Sequence, residues 1–133
     1  MRKIKFRGKN LKSGEWFYGN LYDKDTVGRT HICTTDRGCL CINPDTVGQF
    51  TGLTDCNGKE IYEGDIISWI SAMGRSARRI QGVVVWDQNT MSWSIARDIA
   101  ITRSYTQHEV SRLAGKSPVE VIGNIHDNPE LIE

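Results

Sequence analysis

The sequence has no apolar run approaching the ~20 residues that span a bilayer, and Met1-Arg2-Lys3 leads into alternation rather than an apolar signal segment. The expectation is therefore a soluble, cytoplasmic protein with no membrane attachment. Net charge is also scarce: 17 Lys and Arg against 16 Asp and Glu leave +1, which excludes a uniformly basic nucleic-acid coat protein. The three histidines stand apart at 31, 108 and 126. No Ser-His-Asp or Cys-His arrangement, phosphate loop or dinucleotide fingerprint can be recognised. The cysteines lack a C-x2-C knuckle, and there is no internal repeat, low-complexity tract or clear linker. These absences point away from an enzyme, a cofactor and a resident metal.

What is present is enough for a folded core. A chain of 133 residues, 38% hydrophobic and 25% charged with four Trp, suits one domain or two very small ones and is not disordered in composition. The small net charge hides a polarity. Residues 1–12 carry Arg2, Lys3, Lys5, Arg7, Lys9 and Lys12 with no acid, whereas residues 36–65 carry Asp36, Asp45, Asp55, Glu60, Glu63 and Asp65 against Arg37 and Lys59. The tail adds Glu120, Asp127, Glu130 and Glu133. Such a chain can pair with itself, within a monomer or between copies.

Periodicity reads as short strands. Ile4 and Phe6 alternate with Lys3, Lys5 and Arg7, predicting a half-buried strand with a basic face. After a turn at Lys12-Ser13-Gly14, residues 15–22 predict a second strand, whose alternation separates Trp16, Tyr18 and Tyr22 from Phe17 and Leu21. Further strands are expected at 31–35, 40–43, 47–53, 59–62, 66–70, 80–86, 92–97 and 119–125. Asn57-Gly58 predicts a type I′ hairpin turn, with positive φ at both residues. Thr106 with Glu109 forms a capping box, and Gly115 offers a stop, which predicts one short helix. The fold class expected is mainly β: an N-terminal hairpin region over 1–57 and a small, bent, SH3-like barrel over 58–133, possible also as one compact unit.

Three ordered motifs resemble the YopX family of phage and prophage proteins. They are Ile4-Lys5-Phe6-Arg7-Gly8-Lys9 with Trp16-Phe17-Tyr18-Gly19, the run from Pro44 to Ile67, and Val121-Ile122-Gly123-Asn124-Ile125-His126-Asp127-Asn128-Pro129-Glu130-Leu131. Residues 70–118 carry little of the resemblance. It implies a phage or prophage origin, a bacterial cytoplasm and a tendency to self-associate, and it implies no reaction.

Each candidate site has a plain alternative. Cys33, Cys39, Cys41 and Cys56, with His31 nearby, would need a turn to gather around zinc. Cys39 and Cys41 on one strand lie about 7 Å apart, and Zn–S bonds are about 2.3 Å. Four reduced cysteines are expected instead, since disulfides are rare in a reducing cytoplasm. Glu60, Glu63 and Asp65 could act as acid and base, but Glu63-Gly64-Asp65 reads better as a turn whose Asp65 carboxylate accepts backbone N–H groups. A surface for homo-oligomers is expected at Phe17 and Leu21, on the face of the second strand opposite Trp16 and Tyr18. The runner-up is nucleic-acid contact by Lys3, Lys5 and Arg7 on one strand and by Arg75, Arg78 and Arg79 in a loop beside Trp69. The favoured function is a non-enzymatic, homo-oligomeric binding or assembly module with a phage or host protein as a possible further partner.

Overall fold

The computed structural model describes residues 2–73, 76–89, 91–96, 104–105 and 119–132. The chain divides into two compact units, Met1–Gly52 and Leu53–Glu133. The division falls within a strand rather than at the Asn57-Gly58 turn.

The first unit holds β1 (Phe6–Lys9), β2 (Trp16–Tyr22), β3 (Thr30–Thr34), β4 (Gly38–Ile42) and the start of β5 (Gly48–Thr54), with a 3-10 turn at Pro44–Thr46. All its pairings are antiparallel. β2 changes partners along its length: Trp16–Gly19 pair with β1, and Asn20–Tyr22 pair with β3. Phe17, Ile32 and Ile42 form the core, with Phe6, Leu21, Leu40 and Val47 against them. Two glycines make that packing possible. A Cβ on Gly8 would lie 2.2 Å from Ile42 Cγ2, and one on Gly19 would lie 2.2 Å from the Cys33 carbonyl oxygen.

The second unit holds β6 (Glu60–Tyr62), β7 (Asp65–Met73), β8 (Ser76–Asp87), β9 (Ser92–Ala96), β10 (Ser104–Tyr105) and β11 (Glu120–Asn124), and a 3-10 turn at Pro129–Ile132. Its core gathers Ile61, Ile67, Trp69, Val84, Trp93, Ile95, Val119 and Val121. Val83 and Val84 are buried, as the unbroken valine run predicts for a strand covered on both sides.

The strand orders are β4-β3-β2-β1-β5-β6 and β10-β9-β8-β7-β11. The expected closed barrel is corrected here: both sheets are open and antiparallel, and among the described residues neither returns to pair its last strand with its first. The mainly β class stands. The short helix expected around 106–115 lies outside the described residues.

The Asn57-Gly58 hairpin turn also differs from expectation. Only Gly58 has positive φ, at 80°, so the type I′ geometry is absent. Asp55 takes the first position instead, accepting the Gly58 N–H on its carbonyl at 3.0 Å and the Asn57 and Lys59 N–H groups on Oδ1 at 2.8 Å each. Asp in the first place and Gly in the fourth is the preference of a type I turn. The turn at Glu63-Gly64 follows the plainer of its two readings: buried Asp65 accepts the Tyr62 N–H on Oδ2 at 2.7 Å.

Candidate ligand-binding face of the first unit

The tight turn after β1 dictates which side chains share a face. Asn10 accepts the Lys12 and Ser13 N–H groups on Oδ1 and the Gly14 N–H on its carbonyl, and Gly14 takes φ 69°. This closes the hairpin so that Lys9 faces Trp16, Arg7 faces Tyr18 and Gly8 faces Phe17. Cross-strand partners point to the same side of a sheet. Hence Phe6, Phe17 and Leu21 go to the core, while Arg7, Lys9, Trp16, Tyr18 and Tyr22 take the other face.

The oligomer surface expected at Phe17 and Leu21 is therefore corrected. Phe17 is 6% exposed inside its own unit and Leu21 packs against the same cluster. The physical reason is Gly8: it leaves space that Ile42 and Phe17 fill, whereas the alternate positions of β1 carry cations that need water or a ring.

They find rings. The Arg7 guanidinium carbon lies 4.6 Å from the Trp16 ring centroid, Lys9 Nζ lies 5.5 Å from it, and Lys5 Nζ lies 5.5 Å from that of Phe50. Arg7, read from the sequence as part of an exposed basic strand face, is only 5% exposed. Burial of a guanidinium against Trp is the setting in which cation–π attraction is strongest. Further along the face two large rings stay open to solvent, Tyr18 at 45% and Tyr22 at 56% exposed.

Tyr18 also lines an open groove of about 530 Å³, shared in part with Lys3, Lys5, Trp16, Asp36 and Arg37, and Tyr22 lies outside that lining. The groove has a simple origin. β2 and β3 pair only as far as Asn20 and Cys33, and both the first half of β2 and the segment Thr34–Arg37 line the cleft beyond. Arg37 links the two segments: its guanidinium carbon lies 4.7 Å from the Phe17 ring centroid, and Nη1 lies 3.6 Å from Glu15 Oε1.

The β3–β4 hairpin carries a second correction. Cys33 and Cys39 face each other in register and are joined by a disulfide, with Cα atoms 3.9 Å apart, so the four cysteines are not all reduced. The Asp36-Arg37-Gly38 turn brings them opposite one another. Cys41 and Cys56 remain thiols. No group of three or more His, Cys, Asp or Glu able to hold a metal occurs among the described residues.

Beside Tyr22 the loop from 23 to 29 is organised by Asp25. Its Oδ1 accepts the Val27 and Arg29 N–H groups at 2.9 Å each, and Oδ2 lies 2.9 Å from His31 Nε2. The His31 hydrogen bond, then the Arg29 N–H, hold the Asp25 carboxyl down at about 2 against an ordinary 3.8. A carboxyl with a lowered folded-state pKa adds stability above its unfolded pKa and loses it as pH falls through the folded value. The stability gap between the native chain and Asp25→Asn should thus hold steady above pH 4.5 and close between about pH 4 and 2. Urea midpoints at several pH values measure this, and a gap unchanged at pH 2.5 rejects it.

The basic groups of the nucleic-acid reading fall in different units. Lys3 and Lys5 line the groove, and Arg7 underlies Trp16. Arg79 is exposed in β8 and donates from Nη1 to Ser68 Oγ at 3.0 Å. Arg78 is described only in its backbone, paired with Ser71, and Arg75 lies outside the described residues. Tyr18 and Tyr22 were missed as site residues, because their alternation alone does not say which side of β2 is covered.

The family model for the YopX protein matches residues 5–133, including the 70–118 stretch in which the sequence motifs are thin. The chain belongs to the YopX family. Its fold is similar to the crystal structure of protein EF1440 from Enterococcus faecalis, with a TM-score of 0.58 over all of both chains at 24% identity. No curated protein matches. No helix among the described residues is long and apolar enough to cross a membrane.

Proposed function

We propose that this YopX chain is a non-enzymatic binding module whose ligand surface is the cation–aromatic face of its first unit. The observation that carries this is the sorting of side chains across the β1–β2 hairpin. One side is core; the other collects Lys5, Arg7, Lys9 and Trp16, leaves Tyr18 and Tyr22 exposed, and borders the groove. Exposed large rings beside convergent charges are what a recognition surface offers. Of the carboxylates that an enzymatic reading would draw on, Asp65 accepts the buried Tyr62 N–H and Glu60 Oε1 accepts the Tyr62 hydroxyl, so both spend an oxygen on structure. The setting we propose is the cytoplasm of a bacterium carrying a phage or prophage. The test is a footprint: two-dimensional NMR with a panel of oligonucleotides and acidic and basic peptides. A ligand should shift the Trp16 indole signal and leave Trp93 in place, and a footprint confined to the second unit overturns the reading.

Homo-oligomeric assembly is the second reading. It is favoured by the place of β4 at the end of the first sheet, where the segment Lys9–Leu11 bonds to its outer edge at Cys41–Asn43 and the strand begins before that, at Gly38. Light scattering across a hundredfold concentration range should give a mass of two chains or more, and a monomer throughout rejects assembly.

A further inference from the structure

We propose that the ligand of this face is single-stranded nucleic acid, with bases stacked on Tyr18 and Tyr22 and phosphates held by Lys3, Lys5 and Arg37. The proposal rests on the binding-module reading above and names its ligand.

The chemistry is read from four observations, two on the tyrosine face and two on the groove that Tyr18 also lines. First, Tyr18 and Tyr22 lie on the same side of β2, four residues and so about 13 Å apart, both exposed. Single exposed rings are ordinary, but two on one strand face offer a ligand two flat surfaces in line. Second, the neighbouring ring, Trp16, is already clamped by Arg7 and Lys9, which holds the platform rigid and electropositive. Third, the groove of about 530 Å³ falls in the size range of small-molecule sites, and its Lys3 and Lys5 come from the twelve-residue N-terminal stretch that has six cations and no acid. Fourth, Arg37 adds a cation from the other wall of the groove, where it lies over the Phe17 ring and is 54% exposed in its side chain. Every base has a π-face, so stacking rings along a cationic groove suit single strands of any sequence.

An anionic peptide is the obvious competitor, and the tail of a second copy its nearest source. The tail is committed elsewhere: Leu131 accepts a hydrogen bond from Gln81 Nε2 on its carbonyl, within its own unit. A carboxylate also gives the exposed rings of Tyr18 and Tyr22 no flat partner, whereas a base can stack on their solvent-exposed parts. Asp36 at the rim, and Glu15 beside Arg37, limit the cationic character of the groove. Affinity should therefore come as much from stacking as from charge.

That division sets the numbers. Three phosphate contacts on a single strand predict a slope of log K against log salt of about −2, so binding should weaken roughly 20-fold between 50 and 200 mM salt. Losing one stacked base should weaken it by about 5- to 150-fold. The experiment is fluorescence anisotropy of labelled dT12 and U12 with the full chain. Binding of either oligonucleotide supports the proposal, and the two arms distinguish DNA from RNA. Tyr18→Ala and Tyr22→Ala should each weaken binding within that range, Tyr18→Phe should retain it, and Lys3→Gln with Lys5→Gln should cut the salt slope by about 1.4. Met91→Ala, an exposed change in the second unit, should alter nothing. No binding of either oligonucleotide at 50 mM salt overturns the proposal, as does binding that folded Tyr18→Ala and Tyr22→Ala chains keep at native strength. An acidic peptide that shifts Trp16 while both oligonucleotides fail overturns it too and leaves the binding-module reading standing.

Discussion

Asp55→Ala should lower the stability of the second unit by about 2 kcal/mol or more, since the buried Val121 N–H left unsatisfied costs ~1–3 kcal/mol and the two half-buried turn bonds ~0.5–1.5 kcal/mol each. For a unit of this size that is a fall in Tm of about 8 °C or more. The carboxylate, 7% exposed, is asked to do two things. Oδ1 takes the Asn57 and Lys59 N–H groups and so shapes the hairpin turn. Oδ2 takes the Val121 N–H at 3.0 Å, which pins β11 to that turn across 66 residues of sequence. The neighbouring Cys56 N–H, donating to the Val119 carbonyl at 2.9 Å, completes the seam, and both valines belong to the core. Burial pushes the Asp55 carboxyl up, but the N–H groups of Val121, Lys59 and Asn57 outweigh it and the net displacement is downward. Its stabilisation is thus present above the unfolded carboxylate pKa and lost as pH falls through the lowered folded value. Asp55→Asn offers one oxygen to three donors and turns an NH2 toward at least one of them, so it should recover little. Thermal melts followed by tryptophan fluorescence measure both variants, and a Tm within 3 °C of native for Asp55→Ala would sink the account.

That role was only half legible in the sequence. The Asn57-Gly58 pair marks a turn at the right place, and Gly58 does take the left-handed conformation. What it cannot show is that the Asp55 carboxylate also holds β11, because the Val121 N–H comes from 66 residues away. Asp65 is the opposite case: its partner, Tyr62, is three residues away, and a local contact of that kind can be read from the turn itself. Long-range partners separate the two.

The face of β2 was legible in a way that alternation by itself conceals. Large rings suggest a core, so Trp16 and Tyr18 look like the buried side. The turn at Lys12-Ser13-Gly14 says otherwise once it is used to set register: it puts Lys9 across from Trp16 and Arg7 across from Tyr18. Cations on one strand then mark the solvent side of its neighbour. The same logic places Cys33 opposite Cys39 around Asp36-Arg37-Gly38, a pairing that compartment arguments alone argue against. Hairpin register, not composition, carried the information in both cases. The barrel expectation failed for a different reason, since closure depends on how the end strands meet, and no local pattern reports that.

Gly19→Ala should be the most damaging single methyl in the first unit, at about 3 kcal/mol, the upper range for forcing atoms into a packed interior. The added Cβ would sit 2.2 Å from the Cys33 carbonyl oxygen and 3.0 Å from its carbon. Both are backbone atoms of a paired strand, and no rotamer change can move them aside. Gly19 stands where β2 leaves β1, opposite Phe6, and one residue before it takes up β3 through Asn20 and Cys33. Relief of the clash therefore requires β3 to retreat, which gives up the Asn20, Leu21 and Tyr22 pairings and draws Ile32 out of the core. The groove beside the junction, lined by Gly19 and Cys33 among others, would widen, so ligand affinity should fall together with stability. Gly14→Ala separates this close approach from backbone strain. Gly14 has positive φ but no atom within 4 Å of a built Cβ, so its cost should stay near the ~1 kcal/mol of the left-handed conformation. Urea unfolding, together with amide exchange at 20–22 and 31–33, distinguishes the two. Gly19→Ala should speed exchange at both segments while Gly14→Ala leaves them protected, and equal costs for the two variants would mean that close approach to Cys33 does not hold β2 and β3 in place.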